Sequence, residues 1–192
     1  MFQKTIFCFY VINTKLFEKR SKSARSEERQ NILALQKASA IRKKELKDSR
    51  DEKLINLAFQ LLIYPCIEIN MDYKSATDFA EGYGLTTKSM KWFWDQYLPD
   101  KKDHEDVYAV PARAKTLKGV APAIVITAEF DPLTDDGRNY FRRLTEDAVA
   151  SIYKEYAGQI HGFFNLGGVT EDADLLYLDI AREINAILGR GN

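Results

Sequence analysis

An apolar run that leads to an aspartate constrains the fold of this chain more than any other feature of its sequence. The run Ala123–Ala128 contains apolar residues and one threonine, a composition typical of a strand buried on both faces of a parallel sheet. Asp131 follows that run, and His161 follows the next strand-like run, Ser151–Tyr156. Catalytic groups collect at the carboxyl ends of parallel strands. An Asp that holds a His in one tautomer is the orienting half of a hydrolase triad.

The order of the other patterns predicts the α/β class. Leu57–Tyr64 is a second, nearly continuous apolar run, which Pro65 ends. Residues 66–118 form a long connection, part of which has a sequence pattern that predicts helix. Helices are expected at Thr87–Tyr97, Asp135–Val149 and Glu171–Leu188. Strands that alternate with helices in this way build a parallel sheet covered by helices.

Four blocks of this sequence resemble the C-terminal half of the hormone-sensitive-lipase-like (fold-3) α/β hydrolases, which are carboxylesterases and lipases. In chain order the blocks are Ala58–Pro65, Met90–Leu98, Ala128–Leu133 and Gly158–Phe163. The resemblance implies a partial α/β-hydrolase fold over residues 54–192, with a parallel sheet and a helical cap insertion at about 66–118. It also implies that Asp131 is the triad acid and His161 the base, with a small acyl ester as substrate and no cofactor.

Three apolar side chains are candidates for the substrate pocket. Met90 and Trp94 recur at helical spacing in the segment that resembles the family's cap, and Phe163 belongs to the block that carries His161. The resemblance assigns these three residues to substrate binding. The same spacing is also that of a helix packed on a core, and the two interpretations are compatible.

The sequence departs from this family where the nucleophile is expected. The family carries a His-Gly-Gly oxyanion loop and a Gly-Asp-Ser-Ala-Gly elbow, whereas this sequence has no glycine before Gly82. The elbow needs its glycines because the strained turn leaves no room for side chains. Ser39 lies near the expected position, but its glycine-free context is typical of a helical surface. Two functions remain: an ester hydrolase present as its C-terminal catalytic half, or an inactive fragment or interaction protein derived from that family.

The first quarter of the chain is basic and lies outside the resemblance. Residues 1–53 carry a net charge of +7, and residues 54–192 carry −7. Residues 18–53 lack glycine and proline and predict a long helix. Because acidic residues are mixed with the basic ones and aromatic residues are few, a solvated helix face is favoured over a nucleic-acid site.

The apolar run Thr5–Ile12 bears on localisation and on association. It lacks the small-residue cleavage site of a signal peptide, so a strand is favoured. Cys8 and Cys66 lack metal-ligand spacing and fit a reducing compartment, which predicts a cytoplasmic protein without a metal. No run reaches the ~20 apolar residues of a membrane span. Unless Thr5–Ile12 covers it, the open edge of Leu57–Tyr64 predicts self-association.

Overall fold

The described strands form one four-stranded sheet. The computed structural model describes residues 9–12 and 58–187. The strands are β1 Phe9–Ile12, β2 Phe59–Ile63, β3 Ala123–Phe130 and β4 Ser151–Ile160, and they lie in that order across the sheet. Strands β2, β3 and β4 are parallel, whereas β1 pairs antiparallel with β2. The predicted parallel α/β sheet is confirmed for these three strands.

Three helices lie between the parallel strands and a fourth follows β4. They are α1 Lys74–Asp78, α2 Thr87–Tyr97, α3 Thr134–Glu146 and α4 Glu171–Ile187, and short 3-10 turns lie at Lys101–Glu105, Pro111–Arg113 and Phe163–Leu166. Helix α2 has the predicted bounds because Thr86 and Ser89 form a capping box that satisfies its first backbone donors. Helix α3 carries Asp135 and Asp136 in its first turn, as the charge pattern predicts.

Both faces of the sheet are covered, which explains the mostly apolar sequence of β3. On one face Ile124 and Ile126 pack with the apolar stripe of α4. On the other face Val125 packs with Tyr140 and Leu144 of α3. Side chains of successive strand residues point to opposite faces, so β3 needs apolar residues at nearly every position.

A third cluster lies beyond the carboxyl ends of β2 and β3. It joins Met90 and Trp94 of α2 to Cys66, which follows β2, and to Leu133, which follows β3. The helical segment between these strands is therefore anchored to the end of the sheet at which Asp131 lies. The predicted bounds of a cap insertion and of a separate segment 1–53 stay predictions.

Strand β1 lies along the edge of β2 that the sequence would otherwise leave open. Phe9 pairs with Leu62 and Ile12 with Phe59, so part of the run Thr5–Ile12 forms the favoured strand. The predicted helix over 18–53 and Ser39 lie outside the described residues. None of the helices within 58–187 is long and apolar enough to cross a membrane.

Candidate active site

Asp131 and His161 meet at the carboxyl ends of adjacent parallel strands. Asp131 directly follows β3, His161 directly follows β4, and the last residues of the two strands, Phe130 and Ile160, are register partners. Nδ1 of His161 lies 2.8 Å from Oδ2 of Asp131. The expected contact between these two side chains is therefore present, 30 positions apart in the chain.

An irregularity in the register brings the two residues level with each other. Ala128 pairs with Tyr156, but Phe130 pairs with Ile160, so β4 uses more residues than β3 over this stretch. Gly158 lies inside the bulge with a φ of 75°, and its N–H donates to Glu129 Oε2 at 2.7 Å. Glycine adopts this left-handed conformation without a steric penalty. The prediction that β4 ends at Tyr156 was wrong, because the strand resumes pairing after the bulge.

The Asp131 carboxylate is buried and fully oriented. It has no exposed surface; its Oδ1 accepts a hydrogen bond from Leu133 N at 2.9 Å, and its Oδ2 faces the imidazole. The turn is held further by Thr134, whose N–H and hydroxyl both lie within hydrogen-bond distance of the Asp131 carbonyl oxygen. Thr134 was not singled out from the sequence, because its partners are backbone carbonyls that sequence text does not reveal.

This arrangement leaves one imidazole nitrogen of His161 available as a base. A carboxylate only accepts hydrogen bonds, so Nδ1 of His161 carries the hydrogen and Nε2 keeps its lone pair. The His161 side chain is 9% exposed, whereas that of Asp131 is wholly buried. A carboxylate behind an imidazole whose far nitrogen is free to accept a proton is the geometry of a general base.

Tyr64, which follows β2, packs on the imidazole ring. The ring centroids of Tyr64 and His161 are 4.4 Å apart with an interplanar angle of 52°. Tyr64 has a φ of 37°, and a left-handed conformation costs a residue with a side chain about 1–2 kcal/mol. The sequence places Tyr64 at a strand end but does not reveal its contact with His161, because the two residues are distant in the chain.

The segment after Tyr64 is held by the start of α3. The buried carboxyl group of Asp136 accepts hydrogen bonds from Ile67 N at 2.7 Å and Glu68 N at 3.2 Å. Burial raises the pKa of Asp136 to about 7, although these two backbone hydrogen bonds act in the opposite direction. A Cβ on Gly137 would lie 2.6 Å from Thr127 Cγ2 and 3.3 Å from Pro65 Cδ, so the missing side chain permits close packing.

The three predicted substrate-binding residues are buried in the protein. Met90 and Trp94 lie in the cluster between α2 and the sheet, and Phe163 packs against Tyr64 and Tyr156. In the described conformation Met90 and Phe163 have no exposed surface and Trp94 is 2% exposed. Their packing role is plain from these contacts, and their assignment to substrate binding stays a prediction.

Neither a metal site nor a reactive thiol is found in the part of the chain that the structure describes. Within that part, no group of three or more His, Cys, Asp or Glu side chains could hold a metal ion. Cys66 is buried, and burial raises the pKa of its thiol well above the usual value. A thiol with a raised pKa and no access to solvent is a poor nucleophile.

Comparisons with known proteins show which family this chain resembles in sequence and fold. Residues 33–165 match a family described as the alpha/beta hydrolase fold. The chain is 36% identical over 108 residues to the carboxylic ester hydrolase LipN of Mycobacterium tuberculosis, covering 56% of this chain and 29% of that protein. It is 32% identical over 115 residues to an ethyl acetate hydrolase of Pseudomonas putida, covering 60% and 36%. The chain therefore spans about a third of the length of these relatives.

A solved structure is similar over a larger share of the chain. It is that of LAE6, an alpha/beta hydrolase enzyme from the metagenome of Lake Arreo, Spain, with a TM-score of 0.69 and 37% sequence identity. The similarity covers 77% of this chain and 46% of that one. The two chains are therefore similar in sequence as well as in fold.

Proposed function

This chain belongs to the α/β hydrolase fold family, and from that premise we propose that it supplies the acid and the base of a Ser-His-Asp triad for ester hydrolysis. The supporting observation is the 2.8 Å contact between His161 Nδ1 and the buried carboxylate of Asp131. The relatives named above are hydrolases of carboxylic esters, so a small acyl ester is the substrate class that we propose.

In the proposed mechanism His161 transfers the proton, and Asp131 holds the His161 imidazole in position. Nε2 of His161 takes the proton of a serine hydroxyl as that oxygen attacks the ester carbonyl, and later returns it to the leaving alcohol. The buried Asp131 carboxylate keeps the hydrogen on Nδ1 and stabilises the imidazolium that forms. No metal ion or cofactor takes part in this acyl transfer.

The 192 residues of this sequence contain no Gly-x-Ser-x-Gly elbow and no His-Gly-Gly loop. The serine and the oxyanion donors of the proposed site therefore come from sequence outside these residues, whether in a longer protein or in another chain. Acyl transfer needs both parts. We infer that the chain by itself has negligible esterase activity.

A second candidate is a non-catalytic interaction protein, and the position of β1 favours it. In the resembled family the sheet continues beyond the strand equivalent to β2 with the strand that carries the nucleophile. Here β1 occupies that edge in the antiparallel direction. A strand in that place keeps the edge from pairing with a nucleophile strand.

A fusion protein decides between the two candidates. Residues 54–192 follow an N-terminal segment of a family esterase that carries both the elbow and the oxyanion loop, and hydrolysis of p-nitrophenyl acetate is measured. The first candidate predicts turnover that His161→Ala lowers by about 10⁴-fold or more. The chain contains two histidines, so His104→Ala is the matched control and leaves the rate unchanged. A folded fusion without turnover, or with turnover that His161→Ala leaves intact, contradicts the first candidate.

A further inference from the structure

Tyr64 contacts both sides of the turn that contains His161. Its ring lies against the imidazole at a centroid distance of 4.4 Å. Its hydroxyl accepts a hydrogen bond from Phe164 N at 3.2 Å, and Phe164 lies beyond Gly162 in the turn. Tyr64 is almost wholly buried, so its ring has little room to move between these two contacts.

The backbone at Tyr64 is held from the opposite side. Tyr64 N donates to the carbonyl oxygen of Ile126 in β3. Three residues further along, Ile67 N donates to Asp136 at the start of α3. Tyr64 adopts a left-handed φ of 37° at the first of these two hydrogen bonds, and its ring contacts His161 at the end of β4.

We propose that Tyr64 is a positioning residue for His161, an inference that rests on the proposed function of the Asp131–His161 pair. The hydrogen bond to Asp131 fixes the Nδ1 edge of the imidazole but leaves the ring free to rotate about that bond. The Tyr64 ring, packed against the imidazole at an interplanar angle of 52°, restricts this rotation, and the bond to Phe164 N keeps the Tyr64 ring in place. Together the two residues direct Nε2 along one line, which effective proton transfer requires.

The test is the exchange of the His161 Nδ1 hydrogen with water, followed by NMR of the full chain with ¹⁵N-labelled histidine. The His104→Ala variant assigns the signals. Tyr64→Leu removes the ring, and Tyr64→Phe removes the hydroxyl alone. Tyr177→Phe is the matched control, because the Tyr177 hydroxyl also bonds the Phe164 backbone, donating to its carbonyl oxygen at 2.6 Å, and the Tyr177 ring packs against Phe164.

The expected order of exchange rates is Tyr64→Leu above Tyr64→Phe above Tyr177→Phe. Because local opening controls such exchange, we expect Tyr64→Leu to accelerate it by about tenfold or more. The rate in Tyr177→Phe should equal that of the wild type. Equal acceleration by the Tyr177 and Tyr64 variants, or no acceleration by either, overturns the proposal, because Tyr64 would then act on the turn alone or not at all.

A second comparison covers the case in which Tyr64→Leu fails to fold. Tyr64→Phe and Tyr177→Phe each remove one hydroxyl bonded to the Phe164 backbone. Faster exchange in Tyr64→Phe than in Tyr177→Phe supports the proposal, and equal exchange overturns it. This signal does not depend on ester turnover, so an inactive fusion would contradict the proposed function without altering the result for Tyr64.

Discussion

Replacing Asp136 with Asn should remove a pH dependence from the stability of this protein. Burial raises the pKa of Asp136 from its model-compound value of 3.8 to about 7 in the folded state. The folded state therefore binds the carboxyl proton of Asp136 more tightly than the unfolded state does. Its contribution to stability is complete below pH 3.8 and is lost as the pH rises toward 7.

The size of this pH dependence follows from the change in the pKa of Asp136 on folding. Each pKa unit is worth about 1.36 kcal/mol, and Asp136 is half ionised at its pKa of about 7, so about 2 kcal/mol of unfolding free energy is lost between pH 5 and pH 7. Asn at position 136 does not titrate in this range. Its carbonyl oxygen can still accept from Ile67 N and Glu68 N, which both bond the same oxygen of Asp136. The Asn variant should therefore gain on the wild type as the pH rises.

Urea unfolding between pH 5 and pH 8, followed by tryptophan fluorescence, measures this difference. Asp147→Asn is the control, because hydrogen bonds to Leu117 N and the Thr116 hydroxyl lower the pKa of Asp147 and confine its titration to more acidic solution. The control should keep the wild-type slope of stability against pH. If Asp136→Asn also keeps that slope, Asp136 does not titrate in this window and the reasoning is refuted.

Three other predictions follow from the packing, the site and the sheet edge. Gly137→Ala should destabilise the protein by about 1–3 kcal/mol in urea unfolding, and less in a Thr127→Ser background, which removes the methyl group that the new Cβ meets; equal losses in both backgrounds would locate the strain elsewhere. The purified chain should hydrolyse p-nitrophenyl acetate no faster than its His161→Ala variant, and turnover that this variant abolishes would reveal a nucleophile within the chain. Deleting residues 1–12 removes β1 and should produce larger species in size-exclusion chromatography, because the edge of β2 is uncovered. Deleting residues 1–8 retains β1 and should leave the elution unchanged, and a monomeric 1–12 deletion would show that the edge needs no cover.

The local sequence was sufficient to predict the elements that position Asp131 and His161. The strand over the apolar run of β3 and the helix at α4 were both predicted, and both elements are confirmed. Asp131 and His161 could be paired because each follows a strand in a block that resembles one family. Their proposed roles depend on that resemblance as well as on their contact.

Long-range contacts account for what the sequence did not reveal. Asp136 reaches Ile67 across 69 positions, and Tyr64 reaches Phe164 across 100. Both bonds are donated by backbone N–H groups, and the side chains of Ile67 and Phe164 are apolar, so the sequence gives no sign of either bond. The bulge at Gly158 was missed for a related reason: a glycine after a strand-like run is equally typical of a loop.

The reactivity of the elbow serine in the fusion protein tests the central claim most directly. A fluorophosphonate probe reacts with a serine in proportion to its activation, so its labelling rate reports the base without requiring ester turnover. We predict that His161→Ala lowers the labelling rate constant by about 10³-fold or more, and that His104→Ala leaves it unchanged. Labelling at the same rate with and without His161 would contradict the claim that the Asp131–His161 pair is the acid and base of a hydrolase triad.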